Sequence, residues 1–367
     1  MIIVCGNSLS WGDSFNCTSV FLLPHHSFMY TAQLVDSTIE RMHQTPFPSG
    51  QRYALSAHGL AACIDRENKV IHYGFIQEDG QMTGHQMIDY PEMIHPDCVV
   101  IVDEYLVFGG RYVTIDESDD EEGKYFTELI ATYSVVEKVF KPVYMPHRKW
   151  GKSVDDLLLD GSKIIAVDDI VVPKFMIDYD FSDPGNPRLI ADHDLASAGP
   201  NETIKKGTLN AEYVALLSVM MVQTGVYQSI ALFIKGHYDT YCSVAELLRQ
   251  WESVNVDFPH LSESETSPWL DILWHPTENV LLIAAMERGI GILSLEEGDI
   301  PTIEMVLDEE EEEEEEMEVG GTDEDTLTAR IRYVKPADWK VKKLIAVGND
   351  VLAIGEESGQ VMRFAAQ

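Results

Sequence analysis

Positive charge is scarce in this sequence. Its 367 residues include 26 Lys and Arg against 62 Asp and Glu, which gives a formal net charge of -36. An acidic surface of this kind disfavours nucleic acid or an anionic membrane as the main partner. It predicts instead a protein partner with a basic patch, unless the acidity serves solubility alone.

Cysteines and long apolar runs are also few. The cysteines, odd in number and without C-x-x-C spacing, are Cys5, Cys17, Cys63, Cys98 and Cys242. This pattern indicates free, mostly buried thiols in a reducing compartment, so we expect a cytoplasmic location. The stretch MIIVCGNSLSW has no basic region, and no signal peptide is expected. No window approaches the roughly 18 apolar residues of a transmembrane helix.

The short motifs of common enzyme classes are missing as well. The sequence contains no G-x-S-x-G, Walker loop, H-E-x-x-H or strand-linked G-x-G-x-x-G. We therefore predict no catalytic residue, no cofactor and no metal site. Three carboxylate-rich stretches, Asp168-Asp169, Asp178 to Asp183 and Asp192-His193-Asp194, could ligate a divalent ion, but a solvated turn or exposed strand edge is the expected setting for them.

The clearest positive signal is the stretch Trp269–Glu296, which predicts three β-strands joined by two turns. Turn residues occupy His275–Asn279, and Val280–Ala285 is almost wholly apolar, as in a strand covered on both faces. Met286–Gly289 then turns the chain into a third alternating strand. The stretch resembles the inner three strands of a WD40-type propeller blade, although no Gly-His dipeptide directly precedes it and no Trp-Asp dipeptide ends its third strand.

Similar units recur along the chain at a loose spacing, as expected of a propeller. The units are Met1–Pro24, Tyr53–Gln77, Cys98–Ile115, Asp155–His193, Tyr213–Lys235, Trp269–Glu296 and Trp339–Phe364. Within them we predict turns at Asp65–Asn68, Asp103-Glu104, Gly109-Gly110 and Asp160-Gly161. Phe175–Ile190 is similar to the LVIVD-type repeat, which also builds propellers.

These resemblances imply an all-β fold, a seven-bladed β-propeller in a single domain over residues 1–367, with six or eight blades as alternatives. Insertions are predicted at residues 36–50, 116–124, 241–268 and 308–325. Ser37 and Glu40, and again Ser243 and Glu246, have capping-box spacing, so we predict short helices in the first and third insertions. Trp251 is a candidate anchor for a partner on the second helix.

The fourth insertion is the acidic segment, Asp308–Asp325, which repels itself and has little to bury. The residues of this segment that we predict to contact a basic partner are Asp308, Glu309, Glu310, Glu311, Glu312, Glu313, Glu314, Glu315 and Glu316. A solvated loop without a partner is the alternative. Folding of this segment back onto Lys340–Lys343 is a further hypothesis.

The sequence thus favours a non-catalytic interaction scaffold of the propeller type, acting as an adaptor or as a subunit of a larger assembly. The alternative is a metal-dependent propeller hydrolase or lactonase with carboxylates and histidines at the channel mouth. The two differ in whether three or more ligand side chains from different blades converge there.

Overall fold

The structure is a computed structural model that describes residues 19–25, 28–35, 38–48, 52–56, 58–116, 123–144, 154–168, 175–194, 202–222, 225–248, 269–286, 288–294, 332–334, 339–347, 350–355 and 361–364. All regular elements in this part of the chain are β-strands, and none is a helix. Accordingly, no helix capable of crossing a membrane occurs among these residues.

The strands follow one another as antiparallel sheets, numbered here in chain order. Sheet 1 contains β1 (Ser19–His25), β2 (Phe28–Val35) and β3 (Thr38–Pro48). Sheet 2 contains β4 (Arg52–Leu55), β5 (Leu60–Asp65), β6 (Val70–Ile76) and β7 (Met82–Asp89). Sheet 3 contains β8 (Ile94–Val102), β9 (Tyr105–Asp116), β10 (Gly123–Ser134) and β11 (Val139–Tyr144).

The remaining sheets repeat this order. Sheet 4 contains β12 (Val154–Asp160), β13 (Lys163–Asp168), β14 (Phe175–Asp180) and β15 (Arg188–Asp194). Sheet 5 contains β16 (Glu202–Leu209), β17 (Tyr213–Val222), β18 (Gly225–Ile234) and β19 (His237–Leu248). Sheet 6 contains β20 (Asp271–Trp274), β21 (Val280–Ala284), β22 (Ile290–Ser294) and β23 (Arg332–Val334). Sheet 7 contains β24 (Val341–Val347), β25 (Asp350–Gly355) and β26 (Val361–Phe364).

Sheets 2 to 7 contact one another in chain order through their first strands. Each of β4, β8, β12, β16 and β20 contacts the first strand of the following sheet. A series of antiparallel four-stranded sheets in contact through their first strands is the architecture of a β-propeller, so the predicted fold class is confirmed. The blade number of the complete ring stays a prediction, because several segments lie outside the described residues.

Apolar side chains fill the spaces between consecutive sheets. One buried cluster joins Val100 and Val107 of sheet 3 to Leu157, Ile164 and Ile177 of sheet 4, and all of them are fully or almost fully buried. Burial of a Leu or Ile side chain contributes about 1.5–3 kcal/mol, so packing between sheets is a main source of stability.

The stretch Trp269–Glu296 folds as the sequence predicts. Its three strands are β20, β21 and β22, and Trp269 and Trp274 are buried in the core between sheets 5 and 6. The turn after β20 is held by His275, whose Nδ1 accepts hydrogen bonds from the backbone N–H groups of Thr277 and Glu278 at 3.4 and 3.2 Å. Trp274 and Pro276 are therefore parts of core and turn.

The turn predicted at Gly109-Gly110 is wrong, because both glycines lie inside β9. A Cβ at Gly109 would lie 2.5 Å from Cγ1 of Val154 in sheet 4 and 2.6 Å from Sγ of Cys98. A Cβ at Gly110 would lie 2.1 Å from the carbonyl oxygen of His95. These glycines permit close packing and do not turn the chain. The turns at Asp65–Asn68, Asp103-Glu104 and Asp160-Gly161 are confirmed.

Both predicted helices are also wrong within the described residues. The first insertion continues as β3, which pairs with β2 from Val35↔Thr38 to Phe28↔Pro48. Residues 243–248 belong to β19, which pairs with β18. A helix at either place would leave the edge of the preceding strand unpaired, so tertiary pairing overrides the capping-box spacing. Trp251 and residues 249–268 lie outside the described residues.

Strand direction divides the ring into two faces. We call the face where the first strands begin the front face. Because neighbouring strands are antiparallel, the turns between second and third strands and the connections between sheets also lie at the front. The opposite side, the back face, carries the turns between first and second strands and between third and fourth strands. This division decides which loops share a surface.

Candidate functional site

A β-bulge recurs in the first strands of sheets 3, 4, 5 and 7. The register shifts at Pro96/Cys98, Val154/Asp156, Ile204/Lys206 and Val341/Lys343. The residue pairs at these bulges, which we call the bulge pairs, are Asp97-Cys98, Asp155-Asp156, Lys205-Lys206 and Lys342-Lys343. Since a bulge redirects side chains at sheet rims and sites, these pairs form the first candidate site, on the front half of the ring.

Two carboxylates at this level join consecutive sheets. Asp156 Oδ2 accepts a hydrogen bond from the backbone N–H of Gly207 in sheet 5 at 3.0 Å. Asp271 Oδ2 accepts one from Leu344 in sheet 7 at 3.1 Å. Gly207 and Leu344 each follow the first residue of a bulge pair by two positions. The same contact therefore fastens sheet 4 to sheet 5 and sheet 6 to sheet 7.

Asp97 joins sheet 3 to sheet 2 in a different way. Arg66, in the front turn of sheet 2, places its Nη2 2.8 Å from Asp97 Oδ1 and also donates to the Asp97 carbonyl oxygen at 3.0 Å. Arg111 Nε lies 3.5 Å from the other carboxylate oxygen. Asp97 therefore lies between one arginine of sheet 2 and one arginine of its own sheet.

Cys98 lies among these carboxylates and is unsuited to act as a nucleophile. Burial raises the pKa of its thiol well above the ordinary value, and the negative charges of Asp156, Asp155 and Asp97 raise it further against the opposing charge of Arg52. Cys98 Sγ faces the carbonyl oxygen of Val154 at 3.6 Å. A thiol in this setting stays protonated at neutral pH.

The bulge pairs of sheets 5 and 7 have the opposite charge. Both are lysine pairs, and sheet 6 lies between them. Lys206 Nζ of sheet 5 lies 3.9 Å from Asp271 Oδ1 of sheet 6. Lys205 is exposed, and Lys206, Lys342 and Lys343 are half-buried. We call these four residues the lysine sector. Among the described bulge pairs, those of sheets 3 and 4 thus contain aspartates and those of sheets 5 and 7 consist of lysines.

A second polar cluster lies in sheet 2. His72 Nδ1 is 3.1 Å from His85 Nε2, and His72 Nε2 is 3.5 Å from Asp65 Oδ2. Burial lowers the pKa of His72, although Asp65 opposes this effect, and burial together with the charge of His72 lowers the pKa of His85. Phe47 of sheet 1 lies against both imidazole rings. Both histidines are therefore neutral at neutral pH and part of the contact between sheets 1 and 2.

The carboxylates that the sequence offered as metal ligands are in use in sheet 4. Asp178 Oδ1 accepts a hydrogen bond from the Tyr238 hydroxyl at 3.3 Å, and burial raises the pKa of this carboxyl group. Asp180 accepts hydrogen bonds from Ser182 and Arg188, which lower its pKa to about 2. These aspartates stabilise a turn and a contact between sheets.

The triplet Asp192-His193-Asp194 does not form the polar turn that was expected. It is the end of strand β15, and the ring of His193 packs edge-on against Tyr238 at 4.9 Å. Among the residues that the structure describes, no group of three or more His, Cys, Asp or Glu has the arrangement of a metal site. Asp168 ends β13, and Asp169 lies outside the described residues.

The predicted partner-contacting residues Asp308, Glu309–Glu316 and Trp251 lie outside the described residues. The structure nevertheless fixes where the acidic segment is attached, because it lies between β22 and β23. By the direction of the strands, β22 ends and β23 begins toward the back face. The lysine pair Lys342-Lys343 is near the start of β24, at the front. The attachment points of the acidic segment and the lysine pair therefore lie toward opposite faces of the ring.

Sequence reasoning missed both polar clusters. The bulge pairs are two-residue motifs whose equivalence appears only when the first strands are aligned by their register. Lys205-Lys206 and Lys342-Lys343 are visible as dipeptides, but nothing local shows that they occupy the same level. His72 and His85 come together because β6 pairs with β7, so a prediction of this hairpin and its register would have identified them.

Fold and site define this protein as a β-propeller with a charged front mouth. No protein-family model matches the chain, and no curated protein matches it. The solved structure of YCF48 bound to D1 peptide is 12% identical, covers 98% of this chain and 100% of that one, and has a TM-score of 0.48. BamB from Moraxella catarrhalis is 10% identical, with coverages of 95% and 96% and a TM-score of 0.44.

An enzyme is also among the similar structures. The periplasmic gluconolactonase PpgL of Pseudomonas aeruginosa is 12% identical, covers 76% of this chain and 78% of that one, and has a TM-score of 0.47. At identities and TM-scores this low, the similarities carry no argument about function. The fold assignment stands on the sheet topology described above.

Proposed function

We propose that this protein is a non-catalytic interaction scaffold that binds protein partners in the cytoplasm. The observation that carries the proposal is the use of the mouth carboxylates within the ring. Asp156 and Asp271 each hold a backbone N–H of the next sheet, and Asp97 holds two arginines. A metal-dependent propeller hydrolase needs such carboxylates as ligands, whereas here they join one sheet to another.

The surroundings of Cys98 and His72 also favour a non-catalytic role. Cys98 has a raised pKa and faces a backbone carbonyl, which suits a structural thiol. His72 is 7% exposed and lies between Asp65 and His85, within the contact of sheets 1 and 2. Free, buried Cys63 and Cys98 support a reducing compartment.

The partner contact that we propose is made by the back face. The acidic segment connects β22 to β23, whose joined ends lie toward the back face, and its Asp308 and Glu309–Glu316 supply a concentrated negative charge for the partner. Charge of one sign steers the encounter with a partner of the opposite sign, which favours a protein with a basic patch. Trp251, in the connection between β19 and β20, is a second proposed anchor.

A comparison of partner capture by two forms of the chain tests this function. In the variant, residues 308–325 are replaced by a Gly/Ser linker of equal length, which keeps β22 and β23 connected. We expect the full chain to retain a basic protein that the variant loses, and the retention to weaken with salt. A matched control replaces the acidic residues among 117–122, in the front connection of sheet 3, and retains the partner.

Two results would speak against the scaffold. Equal capture of the same proteins by the full chain and the linker variant would remove the role of the acidic segment. Hydrolysis of lactone or phosphoester substrates by the purified chain, dependent on an added divalent ion and abolished by substitution of Asp155, would replace the scaffold by the hydrolase alternative.

A further inference from the structure

Exposed apolar side chains are concentrated on one side of this protein. Within the described part of the chain, those at the back ends of third and fourth strands, or in the turns between them, are Phe75, Val136, Val139, Leu189, Ile190 and Ile234. Met87 and Met93, in contrast, lie toward the front. Single exposed apolar residues are normal on a protein surface, but a one-sided distribution indicates an interaction face.

The cleft between the outer parts of sheets 2 and 3 has an aromatic floor. The rings of Tyr73 in β6 and Tyr133 in β10 pack with their centroids 6.0 Å apart, and Phe140 in β11 lies 4.9 Å from Tyr133. The Tyr73 hydroxyl donates a hydrogen bond to Oε1 of Gln86 at 2.6 Å. Packing and this hydrogen bond fix the floor, so the cleft is formed before any partner binds.

Phe75 lies at the back mouth of this cleft. It follows Tyr73 by two positions, so both side chains are on the same face of β6. Its cross-strand neighbour Leu60 is buried in the core between sheets 2 and 3, but Phe75 itself is 40% exposed. Gly84 of β7 has a φ of +61°, and a Cβ there would lie 3.8 Å from Phe75 Cδ2. A glycine therefore faces the ring and leaves it partly uncovered.

The turn between β10 and β11 forms the opposite wall. The Val135 N–H donates to the carbonyl oxygen of Glu104 at 3.1 Å, which joins this turn to the turn before β9. Val135 packs against the core between sheets 2 and 3, whereas Val136 is 63% exposed. What we call the rim surface consists of Phe75 and the turns 77–81, 103–104 and 135–138.

The rim surface is acidic. Its exposed carboxylates, which come from both sheets, are Glu78, Asp79, Asp103, Glu104 and Glu137. Within these described turns the one cation is Lys138. Glu137 lies 3.1 Å from Lys141 Nζ in β11, and Asp79 accepts a backbone hydrogen bond from Gln81, which does not cancel its charge. With these contacts counted, the balance of charge around Phe75 and Val136 stays negative.

We propose that the rim surface binds a segment of a partner protein that presents apolar side chains flanked by lysine or arginine. The apolar side chains of the segment bury Phe75 and Val136, and its cations pair with the surrounding carboxylates. This inference rests on the proposed function, since it names the part of the back face that binds and the chemistry of the partner. The carboxylates repel nucleic acid and anionic lipid from the same surface.

Fluorescence anisotropy of labelled peptides added to the purified full chain tests this proposal. The probe is the peptide KKLFKK, and its controls are KKSSKK, which lacks the apolar pair, and EELFEE, which has the opposite charge. We expect KKLFKK to bind more tightly than either control. Phe75→Ser should weaken its binding about tenfold, the loss expected of an interface anchor. Met87→Ser, at an exposed apolar position nearer the front, should change nothing.

The electrostatic part has its own pair of variants. Glu78→Gln/Glu104→Gln should weaken KKLFKK binding and reduce its dependence on salt. Glu67→Gln/Glu92→Gln removes two exposed carboxylates at the front and should have no such effect. Equal effects of the two double variants would show that the peptide responds to the net charge of the protein, and they would overturn the proposal.

Three other results would also overturn it: no binding of KKLFKK, equal binding of KKLFKK and KKSSKK, or equal losses in Phe75→Ser and Met87→Ser. Wild-type dimers that dissociate in Phe75→Ser, as seen by sedimentation velocity, would show that a second copy of the chain covers the surface instead. Unfolding curves show whether Phe75→Ser still folds, and Val136→Ser, in an exposed turn, replaces it if it does not.

Failure of the rim surface and failure of the proposed function are distinguishable. If KKLFKK binding fails while the Gly/Ser variant still loses its basic partner, the scaffold function stands and the rim surface does not. If KKLFKK binds as expected while the Gly/Ser variant keeps every partner, the rim surface stands and the role of the acidic segment does not.

Discussion

Asp156 in β12 accepts a hydrogen bond from the backbone N–H of Gly207 in β16 at 3.0 Å, and this carboxylate joins sheet 4 to sheet 5. Asp271 makes the same contact with Leu344, between sheets 6 and 7. In both cases the donor lies just after a bulge. The bulge exposes a backbone N–H to the neighbouring sheet, and the carboxylate of that sheet satisfies it.

Removal of the Asp156 carboxylate should destabilise the ring. Asp156→Ala leaves the Gly207 N–H without its acceptor, and an unsatisfied buried donor costs about 1–3 kcal/mol. Urea denaturation should show this loss in the free energy of unfolding. Glu92→Gln, at an exposed position, is the matched control and should change little. Equal stability of the two variants would show that the contact between sheets contributes nothing.

A methyl group at Gly109 should be poorly tolerated. In Gly109→Ala the new Cβ meets Val154 at 2.5 Å and Cys98 at 2.6 Å, and overpacking of a core typically costs about 1–3 kcal/mol. Gly185→Ala is the control, because its Cβ would meet the ends of flexible side chains at 3.2 Å or more. The thermal unfolding midpoint should fall for Gly109→Ala only. A similar fall in both variants would contradict the close-packing account of β9.

Cys98 should resist alkylation in the folded protein. Burial and three neighbouring carboxylates raise the pKa of its thiol, and the thiolate is the reactive form. Iodoacetamide labelling followed by mass spectrometry should show modification of Cys98 only after denaturant is added. Labelling of native Cys98 faster than that of a model peptide would mean an activated thiol and would reopen a catalytic reading.

The stability of the protein should fall as the pH drops below about 6.5, the ordinary histidine value. Folding lowers the pKa of His72 and of His85. Between these lowered pKa values and the ordinary histidine pKa of about 6.5, the unfolded chain therefore binds more protons than the folded chain. Mildly acidic pH therefore favours unfolding.

The variant His85→Gln should flatten this dependence, as measured by urea unfolding between about pH 5 and 7.5. His58→Gln, in an exposed turn, should keep the wild-type slope. An unchanged slope in His85→Gln would show that the histidine pair is not the source of the dependence.

The sequence predicted the strands best where local signals and pairing agree. Trp269–Glu296 combines turn residues with apolar runs of strand length, and all three of its strands are confirmed. Glycine often marks a turn, but Gly109-Gly110 lies inside a strand. Glycine is needed there because the backbone of Gly109 lies close to Val154 of another sheet. In β19 the spacing of Ser243 and Glu246 suggested a helix, but the open edge of β18 required a strand.

The candidate site was harder to predict, because its residues are equivalent only in three dimensions. Asp156 and Asp271 are ordinary aspartates in sequence, and their shared contact depends on bulges in the following sheets. The histidine pair needed the register between β6 and β7. Charge composition, in contrast, could be read directly, and it motivates the proposed role of the acidic segment.

Calorimetric titration of Ca²⁺, Mn²⁺ and Zn²⁺ into the chelator-treated protein tests the central claim most directly. The full chain and the variant with residues 308–325 replaced by Gly/Ser should be compared, because the glutamate run can hold cations loosely by charge alone. The account predicts no stoichiometric binding to the variant, since the mouth carboxylates serve the ring. One ion bound per chain in that variant, and lost in Asp155→Asn, would contradict it and favour a metal-dependent enzyme.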